Sequence, residues 1–119
     1  MSLKLDLSEL AERLAERHIE VQDLIPPKMR GRLPKVVLIG DFVGLDLEDL
    51  ERIRDHWAGS QKALGDRMRS IKQKIGERRG ADTERLAKQA RKLKNQSFRN
   101  KFLCSIVAEI VRAKKEAVA

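Results

Sequence analysis

Aromatic residues are scarce in this sequence, which has no tyrosine, one tryptophan and three phenylalanines among 119 residues. Apolar residues still make up 41% of the chain, so its core must be mainly aliphatic. An aliphatic core suits helices packed on helices. The chain is long enough to bury one ordinary core and too short for two. We therefore expect a single helical domain over residues 1–119.

Cysteine and histidine are also few. The single Cys104 has no second cysteine with which to form an internal disulfide, and its apolar neighbours favour a buried, structural thiol. Together with two scattered histidines it does not make a metal site. No nucleophile with a base, no carboxylate pair and no cofactor motif is visible. The sequence therefore predicts a non-catalytic protein with no cofactor and no metal.

Long apolar runs are missing as well. No stretch of the chain is apolar for 18 residues, which is about the length that a membrane span needs. The amino terminus lacks the basic-then-apolar pattern of a secretion signal. We therefore expect a cytoplasmic protein without a membrane partner.

One segment resembles part of a nucleotide-binding site. Residues 35–41, KVVLIGD, are similar to the first strand of small GTPases, which a phosphate-binding loop follows. Such a loop needs two glycines five residues apart and then lysine with serine or threonine, because its amides and that lysine hold the phosphates. Here Gly40 and Gly44 are four residues apart, and Leu45 and Asp46 follow. Nucleotide hydrolysis is therefore not expected.

The pattern from Asp46 to Ile75 predicts one long amphipathic helix, residues 46–75, around which the other elements pack. Asp46 is a good N-cap for it. The two glycines within it, Gly59 and Gly65, each cost only about 1 kcal/mol relative to alanine, so we expect the helix to be continuous. Its apolar residues recur at helical spacing on one face: Leu50, Ile53, Trp57, Leu64, Met68, Ile71 and Ile75.

A shorter helix is predicted from Leu7 to Ile19, where Asp6 is the N-cap and Glu9 completes a capping box. Residues 24–45 are expected to form an irregular connector, because three prolines and three glycines interrupt them. We interpret the one apolar run of this connector, residues 36–39, as a short helix or an irregular segment. The alternative is a strand that pairs across a dimer.

Residues 82–117 predict an antiparallel hairpin of two helices, about 83–94 and 98–117, because Asn95 can close one helix and Ser97 can open the next. The nine residues 93–101, LKNQSFRNK, resemble the turn in the carboxyl-terminal coiled-coil arm of valyl-tRNA synthetases, and this resemblance implies a helix reversal at the same place. The last helix has the widest apolar face, which begins at Phe98. We expect one shared core: Trp57, Leu64, Met68, Phe102, Ile106 and Ile110.

The formal net charge of +8 is distributed unevenly. Residues 1–55 carry 9 basic and 12 acidic side chains, whereas residues 56–119 carry 17 basic and 6 acidic ones. A basic region of this kind favours a polyanionic ligand. We expect the region 72–94 to bind phosphates through eight cationic side chains: Lys72, Lys74, Arg78, Arg79, Arg85, Lys88, Arg91 and Lys92.

These observations favour a small basic helical protein that binds nucleic acid. Duplex or structured nucleic acid is the expected ligand, because few aromatic residues are available to stack on unpaired bases. The alternative function is a protein-interaction module with an acidic partner. We also expect a homodimer, because residues 64–75 of the long helix extend beyond the shorter helices predicted to cover them.

Overall fold

The computed structural model describes residues 5–77 and 81–118. In these two ranges the chain forms four α-helices and no strand, so the predicted all-α bundle of about four helices is confirmed. Two short 3-10 turns, Val21–Leu24 and Pro27–Met29, lie between the first two helices. The helices are α1 (Leu7–Glu16), α2 (Ile39–Val43), α3 (Leu47–Glu77) and α4 (Ala81–Val118).

The long helices α3 and α4 pack against each other as an antiparallel hairpin. Glu51 near the start of α3 is 3.3 Å from Lys115 near the end of α4, and Gln61 further along α3 donates a hydrogen bond to Ser97 at 2.8 Å. The 38 residues of α4 span about 57 Å at about 1.5 Å per residue. This length accounts for the molecule's longest dimension, 60 Å, against 27 Å and 26 Å across.

The predicted antiparallel hairpin within residues 82–117 is wrong, because α4 continues without a break through residues 95–97. Ser97 does not open a new helix, since its hydroxyl group accepts the hydrogen bond from Gln61. The same side of α4 faces α3 along the helix, because the residues that face α3 recur every seven positions, as in a coiled coil. These residues are Leu86, Leu93, Asn100 and Val107. The true reversal lies between α3 and α4.

The hydrophobic core is at the end of the hairpin where α3 begins and α4 ends. There α1, the connector and α2 pack on the two long helices. The indole N–H of Trp57 donates a hydrogen bond to the carbonyl oxygen of Leu24 at 2.9 Å, which ties the connector to α3. We call this part, residues 5–59 and 100–118, the body. It positions the rest of the hairpin, which extends beyond it.

Local signals in the sequence fix both ends of α1. The Asp6 carboxylate accepts a hydrogen bond from the Glu9 amide at 3.1 Å, as its predicted role as the N-cap requires. At the other end His18 has a φ of 56°, and the amides of His18 and Ile19 donate to the carbonyls of Ala15 and Leu14. This left-handed closure satisfies the last carbonyl groups of the helix and turns the chain toward the connector.

The apolar run of the connector is an irregular segment that leads into the short helix α2, as we interpreted it. Its amides are engaged within the chain: Val36 donates to Gln22 at 3.2 Å, and Val37 and Leu38 donate to Asp41 at 3.2 and 3.0 Å. These two bonds lower the pKa of the Asp41 carboxyl group. The same three amides therefore cannot pair with a strand of a second copy.

The predicted shared core is confirmed in part. Trp57, Ile106 and Ile110 are buried in one cluster, and the half-buried Phe102 packs against it. Leu64 is buried outside this cluster, and Met68 is only half-buried. Phe98 was expected at the start of the apolar face of the last helix, but its side chain is 57% exposed. It points away from α3 because it lies five residues after Leu93 in the seven-residue repeat.

The predicted continuity of α3 through its glycines is confirmed, and it gives a simple test. A methyl group added at Gly59 would meet no atom within 4 Å. Gly59→Ala should therefore raise the free energy of unfolding in urea by about 1 kcal/mol, since alanine is the better helix former. The reverse change at its exposed neighbour, Ala58→Gly, should lower it by a similar amount. A destabilised Gly59→Ala variant would contradict a straight, solvent-exposed helix at this position.

The structure removes the reason for expecting a homodimer. The prediction assumed that the partners of α3 within the chain were short, but the 38-residue α4 packs against α3 from Glu51 near its start to Ile71 toward its end. Leu64 is buried, and Met68, Ile71 and Ile75 are half-buried. The argument from an uncovered apolar stripe is therefore wrong, while the oligomeric state itself stays a prediction.

Candidate nucleic-acid interface

The hairpin continues beyond the body as an arm, which we define as residues 60–77 and 81–99. Excluding residues 78–80, the arm carries 11 basic and 4 acidic residues, while the body carries 12 basic and 14 acidic ones. The positive charge of the protein is thus concentrated on the part that has the smallest core. Such a separation of charge creates a local field that attracts polyanions.

An open groove runs along one side of the arm, between α3 and α4. Three cationic side chains line it: Arg67 from α3, and Lys92 and Arg99 from α4. The side chains of Gln89 and Gln96 lie beside them. The groove therefore offers guanidinium, ammonium and amide donors, which suit the oxygen atoms of phosphate groups.

The groove is lined by cations because of a seven-residue spacing on both helices. Arg99 and Lys92 are seven residues apart on α4, and Arg85 continues this row toward the tip of the arm. On α3 the same spacing leads from Arg67 to Lys74. Because the helices are antiparallel, Arg67 lies opposite Lys92, and the next repeat places Lys74 opposite Arg85, about 10 Å further along. The arrangement places like charges opposite each other on the two helices.

The outer face of α4, which points away from α3, carries a second group of cations. Lys88, Arg91 and Lys94 are exposed there, and the Lys94 ammonium group is 6.0 Å from the centre of the Phe98 ring. Glu84 lies one turn before Lys88, but no ion pair joins the two. This face lies next to the groove, since α4 forms one wall of the groove.

The structure places six of the eight predicted phosphate-binding residues on the arm. All six are exposed, and none forms an ion pair with a carboxylate in the described ranges. They are Lys72, Lys74, Arg85, Lys88, Arg91 and Lys92. They do not form one face: Lys92 lines the groove, whereas Lys88 and Arg91 lie on the outer face. Arg78 and Arg79 lie outside the described residues.

The sequence interpretation missed four residues of this surface, namely Arg67, Lys94, Phe98 and Arg99. Arg67 and Arg99 line the groove, and Arg99 also pairs with Asp23 of the body at 3.5 Å. The spacing of Arg85, Lys92 and Arg99 was a signal for one row of cations. That signal was lost because a helix reversal was predicted within this row.

A buried polar cluster fixes the register of the two helices at the base of the arm. The Asn100 side chain is 5% exposed and donates to the Trp57 carbonyl oxygen at 2.8 Å and to Gln61 at 3.2 Å. Gln61 in turn donates to Ser97 at 2.8 Å. A buried asparagine at this position of a coiled coil specifies one register, because a slip would leave its amide unsatisfied. The register sets which cations lie opposite each other.

Groups with shifted pKa values lie on the body and have structural causes. Burial, together with the charge of Lys28, lowers the pKa of His56, and burial raises the pKa of the Cys104 thiol. In the described part of the chain no three histidine, cysteine, aspartate or glutamate side chains are grouped closely enough to hold a metal ion. No helix there is both long and apolar enough to cross a membrane.

Comparison with protein-family models, with curated proteins and with solved structures found no match to this chain.

Proposed function

We propose that this protein binds nucleic acid without catalysis, and that its arm holds the phosphate backbone. The observation that carries the proposal is the groove between α3 and α4, which Arg67, Lys92 and Arg99 line. No carboxylate is among its described lining residues, and of the three cations Arg99 alone pairs with one, Asp23 of the body. Phosphate oxygens are the ligands that such donors bind in most protein–DNA contacts.

Six exposed cations of the arm that lack a carboxylate partner among the described residues support a bound polyanion, although Arg69 pairs with Asp66 and Arg99 pairs with Asp23. On the body, carboxylates pair with arginine and lysine, as in Arg13–Glu109 at 2.9 Å. On the arm, within the described residues, the six exposed cations of the predicted site have no such partner. Lys88 and Lys92 are one helical turn apart, which costs a few tenths of a kcal/mol through repulsion. When these lysines bind a row of phosphates, the negative charge removes their repulsion, and the condensed counterions of the nucleic acid are released.

The test is a fluorescence titration of the protein against duplex DNA, structured RNA and a single strand at physiological salt. We expect dissociation constants tighter than about 0.1 mM, the weak end of sequence-independent binding. Binding of none of the three ligands would overturn the proposal.

The alternative function is a protein-interaction module with an acidic partner, in which the chain forms a homodimer or binds another protein. The observation in its favour is the exposure of Val37 and Leu38 on the body, at 63% and 66%. Retention of the protein on heparin, with no retention on DNA, favours this alternative. Sedimentation at high micromolar concentration tests the dimer directly.

A further inference from the structure

Phe98 is the exposed aromatic side chain of the arm, and its surroundings are chemically specific. The ring is 57% exposed and lies on the outer face of α4. Its neighbours one turn away are Lys94, Asn95, Lys101 and Phe102, and Arg91 lies two turns before it. Three of these neighbours are cations and none is acidic. An apolar ring in such a setting is a surface for a ligand that combines an aromatic group with negative charge.

Phe102 is the second aromatic residue near Phe98 on α4, and side chains of the body cover its ring. Phe102 follows Phe98 by one helical turn, and the guanidinium group of Arg17 from α1 lies over its ring at 4.3 Å. A second guanidinium group, that of Arg13, is 5.9 Å from the same ring. The body thus places two guanidinium groups near the Phe102 ring. Among the described residues no guanidinium group lies over the Phe98 ring, and the Lys94 ammonium group is 6.0 Å from its centre.

We propose that Phe98 stacks on an unpaired base, with Arg91, Lys94 and Lys101 binding the phosphates on either side of it. This inference rests on the proposed function and names its ligand: a single strand, or an unpaired stretch of a structured nucleic acid. Planar bases stack on aromatic rings regardless of sequence, and proteins that bind single strands combine such rings with cationic backbone contacts. The bases of an intact duplex are stacked on each other and do not offer a free face. The inference therefore departs from the ligand that the shortage of aromatic residues predicted.

The test compares two strands that differ only in their bases. One is a labelled strand of 12 thymidines, and the other is a strand of the same length made of abasic residues, which keeps the phosphates. The unmodified protein should bind the thymidine strand more tightly, and Phe98→Ala should weaken that binding by about 5- to 150-fold, the range that alanine substitution of a stacking aromatic gives. Binding of the abasic strand should change by less than about twofold, since its phosphates are contacted by other side chains.

Three further variants separate stacking from other roles of the ring. Phe98→Trp keeps a stacking surface and should retain the preference for the thymidine strand, whereas Phe98→Leu keeps an apolar side chain and should lose it. Leu38→Ala removes an exposed apolar side chain from the body and should have no effect. Circular dichroism should show the same helix content in all variants, because Phe98 contributes little buried surface.

The outcomes distinguish this inference from the proposed function. If the unmodified protein binds both strands equally and Phe98→Ala binds them as the parent does, the arm holds phosphates but Phe98 does not stack on a base. If Phe98→Leu binds the thymidine strand as tightly as the parent, the ring makes an apolar contact and stacking is again excluded. If the unmodified protein binds neither strand nor any duplex, both proposals fail together.

Discussion

Reversing the charge of Lys88 and Lys92 to glutamate should weaken the binding of nucleic acid by about 30-fold at 0.15 M salt. The two side chains cover both surfaces of the arm, since Lys88 lies on the outer face and Lys92 lines the groove. Each phosphate contact on duplex DNA multiplies the binding constant by the salt concentration, in M, raised to a power of about −0.9. At 0.15 M the loss of two such contacts therefore lowers the binding constant about 30-fold. Fluorescence anisotropy with duplex and single-stranded ligands measures it.

A matched control is available on the body. Lys28 and Lys35 are exposed on the connector, and changing both to glutamate lowers the formal net charge from +8 to +4, as the arm variant does. If the arm holds the phosphates, this control should weaken binding by only a small fraction of the arm variant's effect. Equal losses in the two variants would mean that total charge, and not the arm, governs the binding. The arm variant should also stay folded, because both of its lysines are exposed.

Ile106→Ala should lower the free energy of unfolding by about 2 to 5 kcal/mol. Ile106 belongs to α4 and is fully buried in the core of the body. Its truncation therefore leaves a cavity and also removes apolar contacts. Chemical denaturation followed by circular dichroism measures the change. Leu38→Ala is the control, because it removes an apolar side chain that is 66% exposed and should cost less than about 0.5 kcal/mol. A loss below 0.5 kcal/mol for Ile106→Ala would place α4 outside the core.

The fold class and the long helix α3 could be predicted because they depend on local signals. The apolar spacing from Leu50 to Ile75 and the capping residue Asp6 act within a few turns of the chain. The course of α4 could not be predicted in the same way. Asn95 and Ser97 are residues that often end or begin a helix. In the structure Ser97 contacts α3 through Gln61, and this packing of α4 on α3 accompanies a continuous helix.

The candidate site was predictable in its charge and not in its geometry. Counting basic residues located the arm, but the groove depends on which residues of α3 lie opposite those of α4. That register is set by Asn100 and Gln61, which contact each other across 39 positions of the sequence. The exposure of Phe98 follows from the same register, since it depends on which side of α4 faces α3.

The central claim, that the arm binds phosphates, is tested most directly by the salt dependence of binding to duplex DNA. For four to six phosphate contacts the logarithm of affinity should fall linearly with the logarithm of salt concentration, with a slope near about −4 to −5. In the Lys88→Glu, Lys92→Glu double variant the slope should be shallower by about 2, and in the Lys28→Glu, Lys35→Glu control it should be close to that of the parent. A slope that is the same in the parent and the arm variant, or binding weaker than about 0.1 mM at physiological salt, would contradict the claim.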